Sequence, residues 1–192
     1  MEMVVTSKKI RRIHPKKFAL WTAMISMVML FSAFTSAYIV QKASGDWLSF
    51  PIVNEFFLST GVILSSSIVL HVAYKAFLDK NYKLYQILLT IGFGLGCLFV
   101  SLQYVGWLSL NQMGIFVYTN QSSSFFVLLV GIHALHVLGG ISALLISWIY
   151  AMRKNTLEWS EKGQLRLELT FTYWHFVDLL WLYLLAFLWI QQ

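Results

Sequence analysis

Cysteine, proline and charge are all scarce in this chain, and each scarcity removes a class of explanation. A single cysteine, Cys97, excludes an internal disulfide framework and a thiolate metal cluster. It lies inside an apolar run, which predicts an inert buried thiol. The two prolines, Pro15 and Pro51, leave the long apolar stretches unbroken. Charged residues are 11% of the 192 against 58% hydrophobic, and mean hydropathy is +0.69. That balance excludes an ordinary water-soluble domain and describes a chain mostly immersed in lipid. Neither an internal repeat nor a low-complexity segment is present.

What the sequence has instead is length of apolar run. A helix needs about 20 apolar residues to cross the hydrocarbon core. Five stretches meet that requirement, approximately residues 18–40, 56–77, 84–110, 124–151 and 165–190. The expected fold is an all-α polytopic bundle of five transmembrane helices: a basic tail over 1–17, then one membrane domain over 18–192. The first stretch is much longer than the roughly 7 to 15 apolar residues of a signal peptide, so it is expected to remain in the mature protein.

Positive charge is distributed unevenly between the two ends of these spans. Thirteen of the fourteen Lys and Arg residues fall on one side: in the N-terminal tail (Lys8, Lys9, Arg11, Arg12, Lys16, Lys17), in the second connection (Lys75, Lys80, Lys83) and in the fourth (Arg153, Lys154, Lys162, Arg166). Lys42 alone falls on the other. Cytoplasmic flanks collect such charge, so the N-terminus is expected inside and the C-terminus outside. The net charge of +6 then reflects contact with anionic lipid heads, and no nucleic-acid partner is expected.

Within the spans, small or polar residues recur at helical spacing, as expected where helices pack in lipid. Ala19, Ala23, Ser26, Ala33 and Ala37 share one side of the first span, and Gly92, Gly96, Gln103 and Gly106 one side of the third. His133, His136, Gly140 and Ser147 fall together in the fourth, as do Glu168, Thr172, His175 and Asp178 in the fifth. An acid at membrane depth normally faces protein or a water-filled cavity. Asp178 is therefore expected to be hydrogen-bonded beside His175, three residues earlier on the same face. His71, His133, His136, Glu168, His175 and Asp178 are the ionisable residues inside the spans. His133 or His136 opposite His175 could be drawn as a haem pair, but two histidines one turn apart on one helix suit that poorly. A metal site from the same residues has no specific spacing to support it. The preferred reading is an interior polar network of His133, His136, Glu168, His175 and Asp178, with no catalytic residue and no metal ligand.

The block Tyr173-Trp-His-Phe-Val-Asp-Leu-Leu-Trp181 resembles the Tyr-Trp-His-Phe-Val-Asp-x-x-Trp signature of subunit III of haem-copper respiratory oxidases. Gly131-Ile-His-Ala-Leu-His-Val-Leu-Gly-Gly140 is similar to that family's Gly-Phe-His-Gly-Leu-His-Val-x-x-Gly. Ser32 to Tyr38, Gln103, Ser124-Phe-Phe126 and Glu168 match further, so the resemblance covers essentially the whole chain from Phe18. The chain looks like the short five-helix form, without the first two helices of the seven-helix members. Met27 stands where the family's Ser-Glu-Val carries an acid, and Gly106 where its Gln-x-x-Glu-Tyr carries a second. A proton relay through those carboxylates is therefore not implied.

The resemblance implies an accessory subunit without redox centres, in the inner membrane of a bacterium. It would dock on the catalytic subunit I that holds haem and copper, and on other oxidase subunits, within a larger respiratory supercomplex where one forms. Structural phospholipid, support of proton uptake and protection of the catalytic subunit during turnover are implied with it. Arg153 and Trp174 are the candidate lipid contacts. The alternatives are an equivalent subunit of a nitric oxide reductase or a quinol oxidase, and a small transporter relaying protons through Asp178 and the histidines. The transporter would want a broken helix or inverted repeat, and neither is visible.

Overall fold

The computed structural model describes residues 14–43, 45, 47, 51–116, 120–153 and 161–191. The basic residues Lys8, Lys9, Arg11, Arg12 and Lys154 lie outside them. Five helices account for nearly all of the described chain: α1 (Pro15–Lys42), α2 (Asn54–Leu78), α3 (Tyr82–Gln112), α4 (Gln121–Met152) and α5 (Glu161–Ile190). All five are long and apolar enough to cross a membrane, and no strand occurs among the described residues.

Most helix ends extend past the apolar runs because polar caps complete them. Pro15 at the first turn of α1 needs no backbone donor, and His14 Nδ1 accepts from the Lys16 amide at 3.2 Å. Helix α4 starts at a capping box in which the Asn120 side chain accepts from the Ser122 amide at 3.0 Å, while the Asn120 amide donates to Ser123 Oγ at 3.2 Å. Helices α2 and α3 both end in the same C-terminal motif. After α2, the amides of Asn81 and Lys80 return to the carbonyls of Ala76 and Phe77 at 2.9 and 3.1 Å, with Lys80 at φ 59. After α3, the amides of Ile115 and Gly114 return to Leu110 and Asn111 at 3.1 and 3.0 Å, with Gly114 at φ 77. Both are Schellman closures; the first places a lysine where glycine is the usual residue.

Helix α5 is the centre of the bundle, packing on α1, α2 and α4, while α3 packs on α2 and α4. Close approach depends on the glycines of α3 and α4. A Cβ at Gly92 would meet Leu70 Cδ2 at 2.5 Å and Cγ at 2.7 Å, and Ser66 of α2 donates to the Gly92 carbonyl at 3.0 Å. The six-membered ring of Trp174 reaches from α5 into a slot between Gly96 and Gly140, where added Cβ atoms would lie 2.9 and 3.1 Å from it. The glycine and histidine faces expected for α3 and α4 are thus the packing faces.

Two expectations are corrected. Ala19, Ala23, Ser26, Ala33 and Ala37 are all exposed; α1 packs instead through Met24, Phe31, Thr35 and Tyr38. Its partners on α4 and α5 present aromatic and imidazole rings, which large side chains fill better than a close backbone approach would. Cys97 is exposed as well, because the buried side of α3 is taken by Gly92, Gly96 and Phe99.

Helices α1 and α5 run in the same direction. Lys17 near the start of α1 pairs with Glu168 in the first part of α5; Thr35 Oγ1 lies 2.9 Å from Tyr183 Oη; and the Lys42 ammonium reaches the Gln191 carbonyl beyond the end of α5.

Candidate functional site

The polar residues of α4 and α5 divide among several neighbours. His133 is 1% exposed, and neither ring nitrogen has a hydrogen-bond partner among the described residues. Its ring stacks on Trp181 at 5.2 Å and meets Phe31 edge-on at 6.5 Å. His136, one turn later, bonds the Ile132 carbonyl of its own helix through Nδ1 at 2.8 Å, and its own carbonyl accepts from Tyr173 Oη at 3.0 Å. Trp181 donates to Thr60 Oγ1 at 2.9 Å, tying α5 to α2.

His175 faces α2. Its Nδ1 shares a hydrogen bond with the Ser67 hydroxyl, and its ring lies 6.2 Å from that of His71. Asp178, 3% exposed, lies behind this pair and also faces Ser67, although neither carboxyl oxygen meets hydrogen-bond geometry with any described residue. The bond expected between Asp178 and His175 is therefore absent, because the Ser67 hydroxyl holds the imidazole. Glu168 is only partly enclosed and pairs with Lys17, a residue assigned from sequence to the basic tail. No hydrogen bond joins any two of His133, His136, Glu168, His175 and Asp178. Among the described residues no three His, Cys, Asp or Glu side chains converge as a metal site would require.

Ser67 and Lys17 are the participants that sequence reasoning missed, and His71, counted there among the ionisable residues of the spans, was left out of the expected network. A signal was present in outline for two of them: His71 is an ionisable residue within an apolar span, and Lys17 is the last of the basic run before the first apolar span.

Of the two candidate lipid contacts, Trp174 is corrected: it has no exposed surface, because the glycine slot encloses its ring, so its role is packing. Arg153 caps the end of α4 and is exposed. It follows Met152, which with Lys83, Ile87 and Ile91 lines a groove of about 450 Å³ between α3 and α4. Nearer the other end of these helices, Phe56, Gln103, Trp107 and Phe126 line a more enclosed apolar cleft of about 350 Å³. Gln103 donates to Ser59 Oγ at 2.9 Å there, and its Oε1 has no partner among the described residues.

Comparison with known proteins gives this arrangement a context. The model of the family described as cytochrome c oxidase subunit III matches residues 14–191. Subunit 3 of the cytochrome bo(3) ubiquinol oxidase of Buchnera aphidicola is 25% identical over 179 residues, covering 88% of each chain. Cytochrome c oxidase subunit 3 of Thermostichus vulcanus is 26% identical over 183 residues, covering 92% of this chain and 89% of the relative. The subunit 3 of Rhipicephalus sanguineus is 34% identical over 134 residues, 68% of this chain but 49% of its own, so this chain spans about half the length of such longer relatives.

Proposed function

The chain belongs to the cytochrome c oxidase subunit III family, and from that membership we propose that it is an accessory subunit, without redox centres of its own, of a haem-copper terminal oxidase in a bacterial inner membrane. The observation that carries the reading is the family match over residues 14–191 on a five-helix transmembrane fold. Haem and copper belong, on this reading, to the catalytic subunit on which the chain docks. The packing of the histidines agrees with that: His133 and His136 sit one turn apart on α4, and the rings of Phe31 and Trp181 fill the space beside them that a macrocycle would need.

The groove beside Lys83 and Arg153 supports a structural phospholipid. Lys83 lines the groove, Arg153 directly follows Met152 of its wall, and Ile87, Ile91 and Met152 give it apolar surface beside Gln86 and Thr90, which suits a phosphate above an acyl chain. Support of proton uptake and protection of the catalytic subunit rest on family membership, with Asp178 read as a buried packing group.

The test is affinity purification of the tagged chain from native membranes. A haem-bearing subunit should come down with it, giving the complex a Soret band, while the chain expressed alone should bind neither haem nor stoichiometric copper. Haem or copper on the isolated chain, or a pull-down without a haem-bearing partner, contradicts the proposal.

A further inference from the structure

We infer that the open face of α5 between α1 and α2 is the seat of one transmembrane helix of a partner subunit, which brings a hydrogen-bonding side chain to His175 and His71. The inference rests on the accessory-subunit reading and adds the docking face to it.

The first argument is shape. Helices α1 and α2 both pack on α5 but not on each other. The α5 residues that meet α2 are Phe171, His175, Asp178 and Trp181; those that meet α1 are Glu168, Tyr183 and Phe187. At 100° per residue these two sets are centred roughly 130° apart around the α5 axis. Neighbours in a close-packed bundle stand about 60° apart at interaxial distances of 8–10 Å, so the gap holds about one more helix. Its floor is Thr172, His175 and Leu179, and Leu179 is 66% exposed.

The second argument is chemistry at depth. His175 is at the midpoint of the 30-residue α5, about 20 Å of helix from either end, beyond the reach of lipid headgroups. Beside it Ser67, Ile68, His71, Val72 and His175 line a shallow pocket of about 350 Å³. The Nδ1 of His175 is taken by Ser67, whereas His175 Nε2 and both nitrogens of the exposed His71 make no hydrogen bond among the described residues. Acyl chains offer such groups nothing, and polar side chains at this depth normally face protein. A hydroxyl, amide or protonated carboxyl can both give and take a hydrogen bond, so each suits an imidazole pair in either tautomer.

A photo-reactive benzoylphenylalanine at Ile68 or Leu179, in the whole oxidase purified from native membranes, tests this directly. Both positions are exposed, so neither substitution threatens folding, and Leu135, 68% exposed on α4, is the control. Irradiation should join the chain to a membrane-spanning partner subunit from Ile68 and Leu179 but not from Leu135. In parallel, His71→Leu should lower retention of the chain on the complex in detergent about threefold, the size of one interhelical hydrogen bond in a membrane. Adducts confined to lipid at Ile68 and Leu179, with the chain still bound to its haem-bearing partner, overturn the docking face and leave the accessory reading standing. A chain that purifies with no such partner overturns both.

Discussion

At the scale of single residues, whether a Cβ has room decides more than polarity does. Gly92→Ala places a methyl carbon against Leu70 Cγ, which cannot swing aside as a side-chain tip could, whereas a Cβ at Gly94 meets nothing within 4 Å. Gly92→Ala should therefore cost about 1 to 3 kcal/mol of overpacking. Gly94→Ala should be neutral or stabilise by about 0.5 to 1 kcal/mol through reduced backbone freedom in the unfolded chain. Thermal unfolding of the two purified variants measures the contrast. Asp178 gives a second case. Its oxygens hold no hydrogen bond among the described residues, so Asp178→Asn should keep stability within about 1 kcal/mol, and Asp178→Leu should be neutral or stabilising. Equal loss of turnover in both variants with the complex intact would instead mark Asp178 as a proton relay. The sequence made His175 and Asp178 conspicuous, since an ionisable pair in an apolar run stands out. Ser67 was not legible. Three serines run consecutively, and pattern alone cannot say that Ser65 bonds its own helix at the Gly61 carbonyl, Ser66 the Gly92 carbonyl and Ser67 the His175 ring.

At the scale of elements, hydropathy and length located all five helices, and the structure moved most of their ends outward by one to four residues, because caps lie beyond the apolar limits. The packing faces of α3 and α4 were legible because glycine and histidine interrupt otherwise aliphatic runs. The face of α1 was not, because its alanines mark only where close approach is allowed, and rings on α4 and α5 favoured Phe31 and Tyr38 instead. The turn between α2 and α3 offers an element-level test. Lys80 holds a left-handed conformation that costs a side chain about 1 kcal/mol, so Lys80→Gly should stabilise by about that amount. Gly114→Ala at the matching position after α3 should destabilise by a similar amount, again read by thermal unfolding.

At the scale of the whole molecule, the parallel course of α1 and α5 sets the two termini on opposite faces of the bundle, and the charge distribution proposes which is which. Thirteen of fourteen basic residues flank the ends shared by the N-terminus. A periplasm-active reporter fused after Gln192 should therefore be active, and the same reporter at the N-terminus inactive; the reverse pattern would invert the bundle. The bundle's interior is filled by aromatic and glycine packing around Trp174 and Trp181, and the proposed role is that of a scaffold for a neighbouring subunit. The most direct test of that central claim is the lifetime of the oxidase under continuous turnover, with and without this chain. The account predicts equal initial rates and a faster decline of activity in the depleted complex. Identical lifetimes, or an immediate loss of all turnover on depletion, would contradict it.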